Sequence, residues 1–197
     1  MTIASSILLR NVVRCEPLMN WQSEFRWWIR VKILALVLCS VGASWLGCSS
    51  THFDGRHYRR GPLEFTLGPA PKSWRNIEVS DALLAFRDDE RHATIAVHGR
   101  CGKDGDDVPL EALTQHLFIH FTERETLDQR LLSMDDREAM RSEITAKLDG
   151  VPKQFVVYVL KKDGCVYDFF YIGESSMAAT GVEAFDNYVA TFRTYER

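Results

Sequence analysis

Two unbroken apolar stretches late in the chain constrain the fold most: Val156-Val157-Tyr158-Val159-Leu160 and Phe169-Phe170-Tyr171-Ile172. Each is short and rich in β-branched or aromatic residues, so each reads as a strand. Neither alternates apolar with polar, as a half-exposed strand would. Both therefore belong in the middle of a sheet covered on both faces. Asp149-Gly150 joins residues 141–148 to 154–160, and Lys161-Lys162-Asp163-Gly164 joins 154–160 to 165–172. Asp-Gly supplies the positive φ angles of a tight two-residue turn. The three segments therefore read as an antiparallel meander.

Upstream, residues 63–67 read as a short strand ahead of the rigid turn Pro69-Ala70-Pro71. Residues 82–86 and 93–98 read as a hairpin around Asp88-Asp89-Glu90-Arg91. A helix is expected from Asp107-Val108-Pro109, where Asp offers a capping oxygen and Pro suits the first turn. Leu110, Leu113, Leu117 and Phe121 fall on one of its faces. Segment 123–140 suits a helix by composition, and equally a hairpin turning at Met134-Asp135-Asp136. The strand-like segments that follow favour the hairpin. A last helix is expected where Thr180 and Glu183 have capping-box spacing and Val182, Phe185, Val189 and Phe192 share a face. The expected class is α+β: an antiparallel meander with helices packed on its faces.

That order, over residues 63–192, resembles the family of small domains typified by the transport factor Mog and the photosystem protein PsbP. The resemblance rests on Pro71-Lys72-Ser73-Trp74 after the first strand, the 110–121 helix, the Asp149-Gly150 hairpin and the final Phe185 to Phe192 helix. It implies an α/β/α sandwich. The family shares no catalytic residues, so it implies partner binding and carries over no catalytic set. Likeness of fold does not fix function.

The beginning of the chain speaks about location. Arg26, Arg30 and Lys32 precede the apolar run Ile33-Leu34-Ala35-Leu36-Val37-Leu38-Cys39, which tails into Gly42-Ala43-Ser44. Positive, apolar, small is the order of a secretory signal. The apolar core falls short of the ~20 residues of a stable span. Leu46-Gly47-Cys48 then resembles a bacterial lipoprotein cleavage site, which implies that Cys48 takes a diacylglyceryl group and becomes the mature N-terminus. An uncleaved signal anchor is the alternative. Both Met1 and Met19 are candidate starts; Met19 gives a signal of more ordinary length. By resemblance to enterobacterial sorting, Ser49 favours the outer membrane over the inner one. The expected organisation is residues 1–47 as extension and signal, 48–62 as a polar tether, and 63–197 as one domain.

Cleavage before Cys48 leaves 150 residues with 19 basic and 25 acidic side chains, a formal charge of −6. One domain of that size can bury a substantial core. An acidic domain has no electrostatic footprint for nucleic acid, and is not expected to lie flat on anionic lipid. The acyl chains are expected to do the tethering. Cys101 and Cys165 remain as one pair in a compartment where disulfides persist, and are expected to be bonded. Two separate buried thiols are the alternative, because spacing alone does not fix connectivity.

Few residues are arranged for chemistry. His116 and His120 are four apart on the expected helix, with Glu123 beyond them, and could hold a metal as two histidines and a carboxylate. The pattern lacks His-Glu-x-x-His, so histidines bordering an apolar stripe are the plainer reading. Lys103-Asp104-Gly105-Asp106-Asp107 fails the register of a calcium loop. Gly173-Glu174-Ser175-Ser176-Met177 lacks the second Gly of a nucleophile elbow. The expectation is a lipid-anchored extracytoplasmic binding or envelope-assembly module, with no cofactor and another envelope protein as partner. A metal-dependent hydrolase and a carrier of a small apolar ligand are the rival readings.

Overall fold

The computed structural model describes residues 51–102, 108–174 and 178–195. In chain order these form β1 (His52–Phe53), β2 (His57–Arg60), β3 (Leu63–Thr66), β4 (Trp74–Asn76), β5 (Leu84–Asp88) and β6 (Ala93–Cys101). Then come α1 (Leu110–Leu117), β7 (Thr122–Met134), β8 (Arg137–Leu148), β9 (Val151–Lys162), β10 (Cys165–Gly173), α2 (Ala178–Val189) and β11 (Arg193–Thr194).

The meander follows from its turns. Asp135-Asp136, Asp149-Gly150 and Asp163-Gly164 each place two successive residues at positive φ, between 48° and 79°. That is the twist a two-residue hairpin needs. Strands β7 to β10 therefore zip in sequence. With β4, β5 and β6 they make a seven-stranded antiparallel sheet of order β4-β5-β6-β10-β9-β8-β7. Segment 123–140 is thus the hairpin of β7 and β8. A smaller sheet has the order β1-β2-β3-β11.

The large sheet is buried on both faces where the apolar runs lie. Val156, Tyr158 and Leu160 of β9 join one core; Phe155, Val157 and Val159 join the other. The first core lies between the large sheet, the small sheet and α2. Phe192 is fully buried there, with ring centroids 5.0 Å from Phe169 and 5.3 Å from Phe65. The second core lies under α1, where Leu113 and Phe118 meet Phe155.

Two local devices fix α2. Arg141 of β8 is buried, and its guanidinium donates to both carboxylate oxygens of Asp186 at 3.0 and 3.3 Å. Tyr158 Oη donates to the same carboxylate at 2.8 Å. Burial, then Asp186, pushes the Tyr158 pKa up to about 12. Gly181 is the second device. A Cβ there would sit 2.2 Å from Tyr171 Oη, so only glycine lets the helix lie this close to β10.

Several expectations need correcting. The molecule is richer in sheet than a helix-packed α+β domain, because the small sheet shares one face with α2. Part of the supposed tether, 48–62, is that small sheet. Tyr58 and Phe53 point inward, and Asp54 Oδ1 accepts from the backbone N–H of Arg56 and His57 at 2.9 and 2.7 Å to turn the chain. Polar composition masked this short alternation. Helix α1 is capped at Pro109 with no side-chain cap, and Asp107 lies outside the described residues. Helix α2 begins at Ala178, so Thr180 lies inside it and accepts from Arg91 rather than capping.

Candidate functional site

Strand β10 carries a charge where its pattern should be apolar. Asp168 stands between Tyr167 and Phe169, and its side chain is 1% exposed. A buried carboxylate is costly unless it is paired and hydrogen-bonded. Arg100, on the neighbouring β6, donates to Asp168 Oδ2. The other oxygen, Oδ1, has no partner among the described residues. Burial drives the Asp168 pKa upward, and the Arg100 guanidinium opposes it. His98 sits directly across the strand pair from Asp168, with its ring edge-on to Phe170 at 5.4 Å. Burial lowers the His98 pKa; Asp168 and Asp81 pull it the other way.

These groups line a cleft of about 330 Å³ between β6, β10 and the end of α1, where Leu117 forms a wall and Asp81 part of the rim. The position follows from the helix. Eight residues of α1 cover β8 and β9, which leaves Asp168 beyond the helix end. A wider groove of about 940 Å³ opens at the other end of α1, beside Leu110, Leu131, Arg137 and Glu138. The Asp168 cleft offers hydrogen bonding, one guanidinium and an aromatic wall. No hydroxyl, thiol or amine nucleophile lines it among the described residues. Such a site can hold a ligand; it has no partner for Asp168 or His98 in nucleophilic catalysis.

The other sequence candidates fall as follows. Cys48 lies outside the described residues, as do residues 103–107 and Ser175 to Met177. Cys101 and Cys165 are direct register partners on β6 and β10, with Cα atoms 4.0 Å apart, and are joined in a disulfide. His116, His120 and Glu123, the alternative metal set, do not share a helix face. Helix α1 ends at Leu117, so the helical spacing needed to bring His120 above His116 does not exist. Glu123 has φ of 50° and pairs with Lys147 at 2.6 Å. Among the described residues no three His, Cys, Asp or Glu side chains converge as metal ligands would. Trp74, Tyr158, Tyr167, Tyr171 and Tyr188 are all core. Sequence reasoning passed over Asp168 and Arg100. The signal was there: a lone Asp inside a run that has to be buried on both sides.

No protein-family model matches the chain, and no curated protein is significantly similar to it in sequence. Its three-dimensional likeness is to small PsbP-like domains. The solution structure of the cyanobacterial PsbP (CyanoP) of Synechocystis sp. PCC 6803 matches with a TM-score of 0.52 at 14% identity, over 78% of this chain and 97% of that one. The crystal structure of LpqN, a Mycobacterium tuberculosis protein involved in cell envelope biogenesis, matches with a TM-score of 0.50 at 14% identity, over 75% and 90%. At such identities the likeness establishes the fold: this domain has the PsbP-like one. No helix of the described residues is long and apolar enough to cross a membrane.

Proposed function

We propose that this chain is a lipid-anchored extracytoplasmic module that binds another envelope protein through the cleft beside α1 and catalyses no reaction. The cleft carries this reading. It is open to solvent and floored by a buried carboxyl, and among the described residues one of that carboxyl's oxygens has no partner and no hydroxyl, thiol or amine nucleophile lines the cleft. The lipoprotein-like sequence at Cys48 supplies the anchor, and the Cys101–Cys165 disulfide suits an oxidising compartment. The fold shared with an envelope-biogenesis protein agrees with such a role. The metal-hydrolase reading finds no support in the placement of His116, His120 and Glu123. The carrier reading finds little support, because charged side chains line both α1 cavities.

The test is site-specific photo-crosslinking in intact cells, with the reactive group at Leu117 and, for comparison, at Val79. One protein captured at Leu117 and not at Val79, and released by Asp168→Ala, is the expected result. Equal background capture at both positions would refute the cleft. Intact mass of the membrane-extracted protein tests the anchor, which requires a mature start at Cys48 with added acyl mass.

A further inference from the structure

The seven-stranded sheet has two free edges, and they are unlike. At one edge β4 is three residues long. At the other, β7 runs for thirteen residues, most of them exposed. A free edge offers unpaired N–H and C=O groups, and proteins blunt such edges with short strands, bulges, lysine or proline. The first half of β7 is blunted in this way. Its register with β8 shifts between Thr122 and Glu125, and again between Thr126 and Asp128. The second half, Asp128-Gln129-Arg130-Leu131-Leu132-Ser133-Met134, is regular and holds no Lys, Pro or Gly. Its two charges are paired with each other, Arg130 Nη1 donating to Asp128 Oδ2 at 2.6 Å. Leu131, in the middle, is 53% exposed. Grooves flank this half on both sheet faces, one on the α1 side beside Leu131 and Ser133, one on the α2 side beside Leu132 and Met134, so neither helix overhangs the edge.

The turn at the end of β7 decides which backbone groups are free. Asp135-Asp136 is a two-residue turn closed by Met134 and Arg137. Such a closing pair exchanges both hydrogen bonds, and bonded pairs recur at every second residue. Met134, Leu132, Arg130 and Asp128 therefore bond to β8, and the amides of Gln129, Leu131 and Ser133 point outward. A second β7 running antiparallel can bond to all three outward residues in one register only: Leu131 opposite its own copy, and Gln129 opposite Ser133. Either neighbouring bonded register leaves one of the three without a strand partner. Charge agrees with that choice. In the Leu131-centred register Asp128 faces Met134 and Arg130 faces Leu132, so no like charges meet. Centring one residue earlier would set Arg130 against Arg130, which is destabilising.

We infer that the second half of β7 is a dimerisation edge, and that its occupant is a second copy of this chain, paired antiparallel about Leu131. The contact is isologous and closed. Its two-fold axis is normal to the sheet, so both Asp168 clefts open on one side and both small sheets lie on the other. At the ~4.8 Å spacing of strands the clefts stand on the order of 40 Å apart. A partner with two binding sites would meet both clefts at once and gain from avidity. The inference goes beyond the cleft reading and stands apart from the anchor.

The test is disulfide trapping of the full-length protein in intact cells. Cα atoms of a bonded antiparallel pair lie about 5.5 Å apart, within reach of a disulfide. Leu131→Cys should give a reducible dimer on mild oxidation. Gln129→Cys should not, because its two copies stand ~13 Å apart along the strands. The parent chain, with its native cysteines, sets the background. Purified protein in detergent gives a second readout. Leu131→Pro removes an outward N–H and no bond to β8, a place where an edge strand tolerates proline. It should halve the protein mass measured by sedimentation, with the circular dichroism unchanged. No trapping at position 131, equal trapping at 129, a disulfide from position 131 to a different protein, or a parent protein that sediments as one chain overturns the inference.

Discussion

One face of the seven-stranded sheet is covered by a second sheet and a twelve-residue helix, the other by a single helix of eight residues. On the first face the cover is nearly continuous: the rings of Phe65, Tyr167, Phe169 and Phe192 touch across layers contributed by three parts of the chain. On the second face the cover stops at Leu117, and the sheet beyond it holds Asp168, His98 and Arg100 instead of apolar residues. A face that is fully closed has room only for packing. A face left part-covered can hold polar groups at a depth where they still meet a ligand. In the reading proposed above, stability and recognition lie on opposite sides of one sheet.

The contrast can be attacked by mutation. Phe192→Ala should be the most damaging change, at about 3–5 kcal/mol of unfolding free energy, because the cavity opens where three layers meet. Urea denaturation should show it, and a loss under 1 kcal/mol would mean the closed face is not the keystone. Phe170→Ala, on the open face and part-exposed, should cost clearly less. Removing the disulfide by C101S/C165S should cost ~4 kcal/mol on the entropic model for a ring of this size, as the closure spans a separation of 64 residues. Unchanged thermal stability on reduction would contradict it.

Gly181→Ala is a finer probe. In a free helix alanine is favoured by about 1 kcal/mol. Here the added methyl meets Tyr171 Oη, so a loss of roughly 1–3 kcal/mol is expected. Tyr171→Phe should recover part of it in the double variant, and a stabilising G181A would show that α2 does not sit as described. The smallest expected effect is on pH dependence. Asp168 has its folded pKa raised, so its stabilising contribution is complete below the unfolded carboxylate pKa and is lost as pH rises through the folded one. Asp168→Asn should flatten that part of the stability–pH curve. An unaltered curve would mean that Arg100 holds the carboxylate ionised throughout.

The central strands were legible because double burial leaves no polar residues in the pattern and Asp-Gly turns have few alternatives. The ends of the helices were not. Phe121 continues the apolar stripe of α1 in sequence, yet it reaches the same core from a turn beyond the helix, at 5.2 Å from Phe155. Periodicity cannot tell a helix from a chain that merely returns to the same core. The strands β1 and β2 were hidden for a related reason. Two and four residues long, among arginines and histidines, they show alternation only once Tyr58 is known to be inside. The buried Arg141 was equally silent. A lone arginine in an alternating strand reads as surface until Tyr158 and Asp186 are placed beside it.

The pairing of β11 with β3 has a consequence for biogenesis. Residues 193–194 complete a sheet whose other strands are made more than a hundred residues earlier. Contacts that distant in sequence form late and slow the approach to the native state. If the chain is exported as proposed above, β3 would wait with an open edge until residues 193–194 had crossed. If Cys48 is the acylation site proposed above, acylation and cleavage there would act on a polypeptide still unfolded at that end.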